Sequence, residues 1–125
     1  VESRRPPSGE GLVARRLRRL DAPAGVAVWW VDLDVALEET ERRLLGAAEA
    51  ARAQRFVRPL DAQRYRVAHW ALRWLVAEAL ARPIADVDIV ADARGRPVLP
   101  TDPRCHLSLS HSAGQGLVAL SRGAP

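Results

Sequence analysis

A long segment with apolar residues at helical spacing constrains the fold of this chain more than any other feature. It lies between Arg58-Pro59 and Pro83, and the residue before a proline avoids the helical region. We predict that Asp61 caps this helix and that the helix runs to about Leu80. Its core-facing side is predicted to carry Ala68, Leu72, Leu75, Val76 and Ala79.

Shorter elements surround the predicted helix. The β-branched and aromatic run that follows Gly25 predicts a strand. Residues 35–56 are rich in helix formers and predict a helical stretch that Gly46 divides in two. Beyond Pro83, four short strands are predicted at 87–90, 97–100, 106–110 and 116–121. One strand, then helices, then several strands predicts an α+β domain with helices packed on a mostly antiparallel sheet.

The first 24 residues are predicted to form a basic, flexible arm ahead of a domain at 25–125. Prolines and glycines crowd the start of this arm at Pro6, Pro7, Gly9 and Gly11. The run Leu12–Leu20 can form a short basic helix. A solvated tail or an added strand is the plainer interpretation, and both are preferred to a nucleic-acid-binding arm.

Composition excludes several classes of protein. With 125 residues, 48% hydrophobic and 27% charged, the chain has the composition of one globular domain rather than of a disordered segment. Its apolar stretches are shorter than the roughly 18 residues of a membrane span, so no membrane partner is expected. Cys105 is the only cysteine and excludes an internal disulfide. No secretion signal is recognisable, so a cytoplasmic location is expected.

The charge of the chain favours an anionic partner. All nineteen basic residues are arginine, the formal net charge is +4, and the isoelectric point is about 10.8. Codon usage explains the absence of lysine at least as well as function does. Each cationic contact is nevertheless a planar fork that suits phosphate, whether the partner is nucleic acid, a phosphorylated cofactor or an acidic protein.

Three clusters of residues can carry chemistry. The first is the segment 108–114, S-L-S-H-S-A-G, and the second is the turn 93–97, A-R-G-R-P. The third is a set of helical arginines: Arg52, Arg55, Arg58, Arg64 and Arg66. Taken alone, each cluster has a plainer explanation, namely a polar hairpin end, a loop and a solvated helix face.

In this order, the clusters resemble the surfactin-type 4'-phosphopantetheinyl transferases. The resemblance runs through A-A-E-A-A-R-A-Q-R-F, R-Y-R-V-A-H-W-A-L-R-W-L, G-R-P and H-L-S-L-S-H-S-A-G, and includes the opening strand V-W-W-V-D-L-D. It covers about residues 26 to 125. Its specific part is S-H-S with G-R-P about a dozen residues upstream. The helical arginines only support it.

The resemblance implies a transferase that acts on carrier proteins. That family moves the phosphopantetheine arm of coenzyme A to a serine of an apo acyl or peptidyl carrier protein and releases 3',5'-ADP. The carriers serve fatty-acid, polyketide and nonribosomal peptide biosynthesis. The family fold is two similar α+β halves that form a pseudo-dimer around coenzyme A and magnesium. Residues 25–125 would be the N-terminal half, with the missing C-terminal half as its partner and no nucleic acid bound.

The resemblance also assigns coenzyme-binding residues. His111, Arg52 and Arg64 would bind the 3'-phosphate, and Ser110 would contact phosphate. The turn Gly95-Arg96-Pro97 would flank the adenine. Arginine forks bind a phosphate dianion well, so the residue types suit these roles.

The chain departs from the family pattern in several places. Arg96 stands where the family often has lysine, Glu49 where a basic residue is usual, and Ser108 where asparagine is frequent. The family's G-V-D-I-E strand and Lys-Glu-Ala helix would follow Pro125. We therefore expect the magnesium ligands and the general base in the C-terminal half, no catalytic or metal-binding residue in this chain, and no activity for the chain alone. Asp32 and Asp34 are expected to be solvated rather than metal-bound.

Other functions remain open from the sequence. A basic nucleic-acid-binding module and a non-catalytic scaffold half-domain are the main alternatives. A serine hydrolase is disfavoured, because Ser110 and His111 are adjacent and would point to opposite faces of a strand. A metal site of Cys105, His106 and His111 is disfavoured as well, since its spacing matches no zinc pattern.

Overall fold

The fold is a four-stranded antiparallel sheet with a long helix packed on one face, as seen in a computed structural model that describes residues 15–123. The elements are β1 (Leu17–Leu20), β2 (Val26–Asp32), α1 (Glu39–Arg42), α2 (Ala47–Ala53), α3 (Pro59–Leu80), a 3-10 turn (Ile84–Asp86), β3 (Val90–Ala91), β4 (Pro97–Val98), β5 (Cys105–Ser112) and β6 (Gln115–Arg122). The predicted α+β class with an antiparallel sheet and a long helix is confirmed.

The strands are not in chain order across the sheet. Their order is β1-β2-β6-β5, and every neighbouring pair is antiparallel. Strands β3 and β4 form a separate two-stranded hairpin that lies beside β5. The strand predicted at 87–90 is largely wrong, because β3 begins only at Val90, and residues 87–89 between the 3-10 turn and β3 belong to no strand.

The hydrophobic core lies between the sheet and α3. Val31, Val118 and Leu120 are buried on the side of the sheet that faces the helix. The predicted core residues of α3 are confirmed except Ala79, which is exposed. The last turn of α3 contributes Ala77 and Leu80 to the core instead.

The predicted N-cap of the long helix is wrong, although its predicted end is confirmed. The helix begins at Pro59, and Arg58 occupies the N-cap position with φ −95° and ψ 129°. Proline suits the first helical position, because its fixed φ is already helical and its missing N–H would have no partner there. Asp61 lies in the first turn instead, where its charge interacts favourably with the helix dipole.

Leu17–Leu20 form a strand, which agrees with the added strand among the alternatives for this segment and not with a short basic helix or a solvated tail. Strand β1 pairs with β2, so that Leu17 lies opposite Val31 and is buried. The guanidinium groups of Arg18 and Arg19 lie 4.7 Å and 5.7 Å from the centroids of the Trp30 and Trp29 rings. These cation–π contacts and the burial of Leu17 favour the strand. Residues 1–14 of the predicted arm lie outside the described residues.

Arg16, immediately before β1, has a fully buried side chain. Its two Nη atoms each donate to a carboxylate oxygen of Glu41 at 2.7 Å. Its Nε donates to the Val35 carbonyl at 2.9 Å, and Nη2 donates to the Ala36 carbonyl at 2.7 Å. The guanidinium also lies 4.8 Å from the centroid of the Trp70 ring in α3. One side chain therefore joins the start of the sheet to α1, to the loop before it and to the long helix.

The partner of Arg16 is ionised despite its burial. Burial by itself would raise the pKa of Glu41, but hydrogen bonds from the Arg16 side chain and the Glu38 backbone, with the Arg16 charge, hold it below its ordinary value. A buried pair of this kind contributes little net stability over an apolar pair, but the loss of one partner leaves an uncompensated charge.

None of the helices within residues 15–123 is both long enough and apolar enough to cross a membrane.

Replacing Arg16 tests this arrangement. We expect Arg16→Met to lower the free energy of unfolding by about 3–5 kcal/mol, because Glu41 would remain buried without a partner. Urea unfolding followed by circular dichroism measures the change. Arg43→Met is the control, since Arg43 forms an exposed ion pair with Glu39 at 3.6 Å and should lose less than about 1 kcal/mol. Equal losses in the two variants would contradict the role of Arg16.

Candidate functional site

The polar end of the β5–β6 hairpin forms a shallow depression. Ala113 and Gly114 connect the strands, and Ala113 has the left-handed φ of 52°. Ser110, His111 and Ser112 are exposed at the end of β5. With neighbouring residues of β2 and β6, they line a depression of about 430 Å³; those neighbours are Trp30, Gln115, Gly116 and Leu117.

Ser110 and His111 belong to opposite faces of the sheet. Ser110 pairs with Leu117, which is exposed, whereas His111 pairs with Gly116, which is buried. His111 thus lies on the same side as Leu109, which packs against the core below α3. Ser110 and His111 are therefore not placed as a nucleophile and its base, in agreement with the argument against a serine hydrolase.

Arg64 of α3 reaches the same end of the sheet through Asp34. Its Nε donates to Oδ1 of Asp34 at 2.9 Å, and its Nη2 donates to Oδ2 at 3.5 Å. The hydrogen bond to Asp34 raises the pKa of the Arg64 guanidinium. The Asp34 carboxylate in turn lies against Gly114 of the hairpin turn. The structure therefore brings Arg64 to the hairpin turn that follows His111.

The prediction for the two strand-exit aspartates is wrong for Asp34. Its side chain is half exposed but paired with Arg64, so it is not simply solvated. Oδ1 of Asp32 accepts a hydrogen bond from the Asp34 backbone at 3.0 Å, and this local turn directs Asp34 toward the hairpin.

The turn between β3 and β4 is rigid. One carboxylate oxygen of Asp92 accepts hydrogen bonds from the backbone N–H groups of Arg94 and Arg96, at 2.8 Å and 2.9 Å. Gly95 has a φ of 82°, which favours glycine at this position. The turn presents Arg96 to solvent, and Pro97 opens β4, which lies beside β5. Gly95, Arg96 and Pro97 therefore form a fixed protrusion on the β5 side of the sheet.

Arg52 is not joined to this end of the sheet by any hydrogen bond within residues 15–123. It lies in the last turn of α2, with its guanidinium carbon 5.8 Å from the centroid of the Phe56 ring. There it lines a second depression, of about 420 Å³, with residues of the α2–α3 connection: Arg55, Phe56, Val57, Arg58 and Asp61. The role that the resemblance gives to Arg52 stays a prediction.

Glu49 has a structural role that sequence reasoning missed. Its carboxylate accepts hydrogen bonds from the Gly46 backbone at 2.8 Å and from Nε of Arg73 at 2.6 Å, and lies 3.2 Å from Nδ1 of His69. It thereby fastens α2 to α3. The available signal was the spacing of Gly46 and Glu49, because a glutamate three residues after a helix start can bond back to the N-cap backbone.

The environment of Glu49 keeps it ionised. Burial alone would raise its pKa, but hydrogen bonds from His69, the Gly46 backbone and Arg73, with the Arg73 charge, hold the pKa below its ordinary value.

The described part of the chain does not fit a metal centre. Within residues 15–123, no three side chains of histidine, cysteine, aspartate or glutamate come together around one point. Cys105 is buried at one end of β5 and His111 lies near the other, so about 20 Å of strand separates them. Burial raises the pKa of the Cys105 thiol, with a further contribution from Asp102.

The lowered pKa of Glu49 predicts a specific response to acid. A carboxyl whose folded pKa is lowered adds stability above its unfolded pKa, near 4.5, and this stability is lost as the pH falls through the folded value. We expect Glu49→Gln to lower the free energy of unfolding at neutral pH. We also expect it to reduce the slope with which the free energy of unfolding falls as the solution becomes acidic. Urea unfolding from about pH 7 to about pH 3 measures both. Glu78→Gln, at an exposed position of α3, should keep the original slope. If both variants keep it, Glu49 is not the group responsible.

Comparison with known proteins indicates one relationship. No family model matches the chain. Over 96 residues, however, the chain is 31% identical to a Synechocystis sp. protein named "Putative 4'-phosphopantetheinyl transferase". The match covers 75% of this chain and 39% of that relative, so the chain spans well under half of its length. The similarity supports a relationship to the 4'-phosphopantetheinyl transferases.

Proposed function

We propose that this chain is the coenzyme A-binding, N-terminal half of a surfactin-type 4'-phosphopantetheinyl transferase. The complete enzyme would move the phosphopantetheine arm of coenzyme A onto a serine of an apo acyl or peptidyl carrier protein. The similarity to the Synechocystis protein supports the reaction class. The observation that carries the binding role is that Asp34 holds Arg64 at the hairpin turn next to His111.

The end of the sheet offers several donors to a phosphate. A guanidinium has five N–H groups; two of those on Arg64 are directed at Asp34, so three remain. His111 adds donors from an exposed position at the end of β5, and the exposed Ser110 hydroxyl lies on the opposite face of the sheet. We propose that Arg64 and His111 bind the 3'-phosphate of the coenzyme and that Ser110 contacts phosphate. Arg52, exposed on α2, is proposed as a further cation for the 3'-phosphate.

The β3–β4 turn is proposed to flank the adenine. Asp92 fixes the backbone of this turn, so that Arg96 projects from a rigid base. A guanidinium can stack on an aromatic ring as well as pair with phosphate. Pro97, half-buried at the start of β4, adds apolar surface beside Gly95. An adenine ring could therefore lie against this turn at the side of β5.

The proposed reaction also uses magnesium, and the described residues do not fit it. Asp34 is paired with Arg64, and Glu49 is paired with Arg73. Within residues 15–123, no three potential metal ligands lie together. We therefore propose that the carboxylates for magnesium and the general base lie in a C-terminal half rather than among residues 15–123. No residue of this chain is proposed to be catalytic.

This proposal predicts that the 125-residue chain alone transfers nothing. The chain is incubated with coenzyme A, magnesium and an apo carrier protein, and the carrier is weighed by mass spectrometry. We expect no phosphopantetheinylated carrier above the reaction without the chain. Transfer by the chain alone would support the reaction class but contradict the assignment of the chemistry to a second half.

The binding role is tested by calorimetric titration with coenzyme A and with dephospho-coenzyme A, both in EDTA. Two or three charge-assisted hydrogen bonds to the 3'-phosphate predict a preference for coenzyme A of at least about tenfold. His111→Ala should remove most of this preference. His106→Ala is the matched control, because His106 is also exposed on β5 but lies near the opposite end and on the other face.

Two results would contradict this proposal. If neither ligand binds, the end of the sheet is not a coenzyme site in this chain. If both bind equally and weaken together as salt increases, the basic surface recognises polyanions in general. The second result would favour the nucleic-acid-binding alternative.

A further inference from the structure

The carboxylate of Asp34 occupies the space beside Gly114 that a side chain at that position would fill. A Cβ atom on Gly114 would lie 2.9 Å from Cγ of Asp34 and closer still to Oδ2, so alanine cannot be accommodated without moving the carboxylate. The backbone of Gly114 does not have a positive φ. A side chain at this position would therefore displace the Asp34 carboxylate, whereas the shape of the turn does not itself call for glycine.

The loop that carries Asp34 is fixed to the hairpin and to α3. The Leu33 N–H donates to the Gly114 carbonyl at 2.8 Å. The Leu33 carbonyl accepts a hydrogen bond from Nε2 of Gln63 at 3.3 Å, and Gln63 is the neighbour of Arg64 on α3. Asp34 is thus held in place on both sides before it contacts Arg64.

We infer that Asp34 is a positioning residue, which holds the Arg64 guanidinium at the hairpin turn so that Arg64 is ordered before an anion binds. Gly114 is the residue that makes room for it. This inference rests on the proposed function, because it takes the anion to be the 3'-phosphate of coenzyme A. It adds that two residues with no phosphate contact of their own determine how well the site prefers that phosphate.

Pre-ordering outweighs the repulsion between Asp34 and the phosphate. A free arginine loses much rotamer freedom on binding, and a partner that already fixes the side chain removes part of that loss. The Asp34 side chain is 51% exposed, whereas that of Arg64 is 24% exposed. Water therefore screens the repulsion from Asp34, while the contacts between Asp34 and Arg64 remain direct.

Asp34→Asn and Gly114→Ala test this inference. Asparagine keeps the shape of Asp34 but removes its charge, and alanine displaces the carboxylate. Each change should reduce the preference for coenzyme A over dephospho-coenzyme A by about five- to tenfold. Neither should reduce it further when Arg64→Gln is already present, because both act through Arg64. Asp102→Asn is the matched control, since it breaks the Asp102–Arg122 pair of 3.3 Å elsewhere in the protein and should leave the preference unchanged.

A second measurement requires no coenzyme. The Nε–H resonance of Arg64 in an NMR spectrum reports whether that proton is hydrogen-bonded. We expect slow exchange with water in the original protein and in Asp102→Asn, and faster exchange in Gly114→Ala and in Asp34→Asn, whose amide oxygen is a weaker acceptor than the carboxylate. Thermal unfolding of the same samples shows that each variant is folded.

The outcomes separate this inference from the proposed function. If the original protein does not prefer coenzyme A, the proposed function fails. The positioning of Arg64 is still supported in that case if the Arg64 Nε–H exchanges slowly in the original protein and faster in both variants. If the preference exists but Asp34→Asn leaves it unchanged or increases it, the positioning role is overturned. Fast exchange in the original protein overturns it as well.

Discussion

The buried guanidinium of Arg16 is the interaction on which the rest of this fold depends. It joins the residue before β1 to Glu41, to two carbonyls of the loop before α1, and to the face of Trp70 in α3. With this contact β1 covers the outer edge of β2, and β2 in turn carries Asp34 beyond its end. Arg16 also binds the carbonyl of Val35, the residue after Asp34, so this buried ion pair holds the chain next to the proposed coenzyme site.

The sequence predicted those parts of the fold whose signal is local. The helical spacing in α3, the β-branched and aromatic run of β2 and the turn signals around β5 and β6 were sufficient to predict these elements. The same reasoning left an added strand and a solvated tail as alternatives at β1 and missed the burial of Arg16, because an arginine-rich run is usually solvated. Nothing near Arg16 in the sequence shows that its partner is Glu41, 25 residues away. At the start of α3, Asp61 has the chemistry of a cap, but the stereochemistry of Pro59 placed the N-cap at Arg58, three residues earlier.

In the candidate site, too, the residues with a local sequence signal could be predicted and those that depend on distant contacts could not. Ser110, His111 and the turn at Gly95 could be placed from short patterns, since a hairpin end and a glycine turn are local features. The pairing of Arg64 with Asp34 joins residues 30 apart and depends on the packing of α3 against the sheet. The contact of Asp34 with Gly114 has no local signal either. The place of Arg52 in the coenzyme site is still a prediction, because its contacts lie in the α2–α3 connection.

The central claim is that this end of the sheet binds the 3'-phosphate of coenzyme A, and phosphorus NMR tests it most directly. The 3'-phosphate and the pyrophosphate of the coenzyme give separate resonances, each followed against pH with and without the chain. Cationic donors favour the dianion, so we predict that binding shifts the 3'-phosphate resonance most and lowers its second pKa below about 6. If the 3'-phosphate titrates unchanged, or if only the pyrophosphate resonances move, Arg64 and His111 do not form the proposed site.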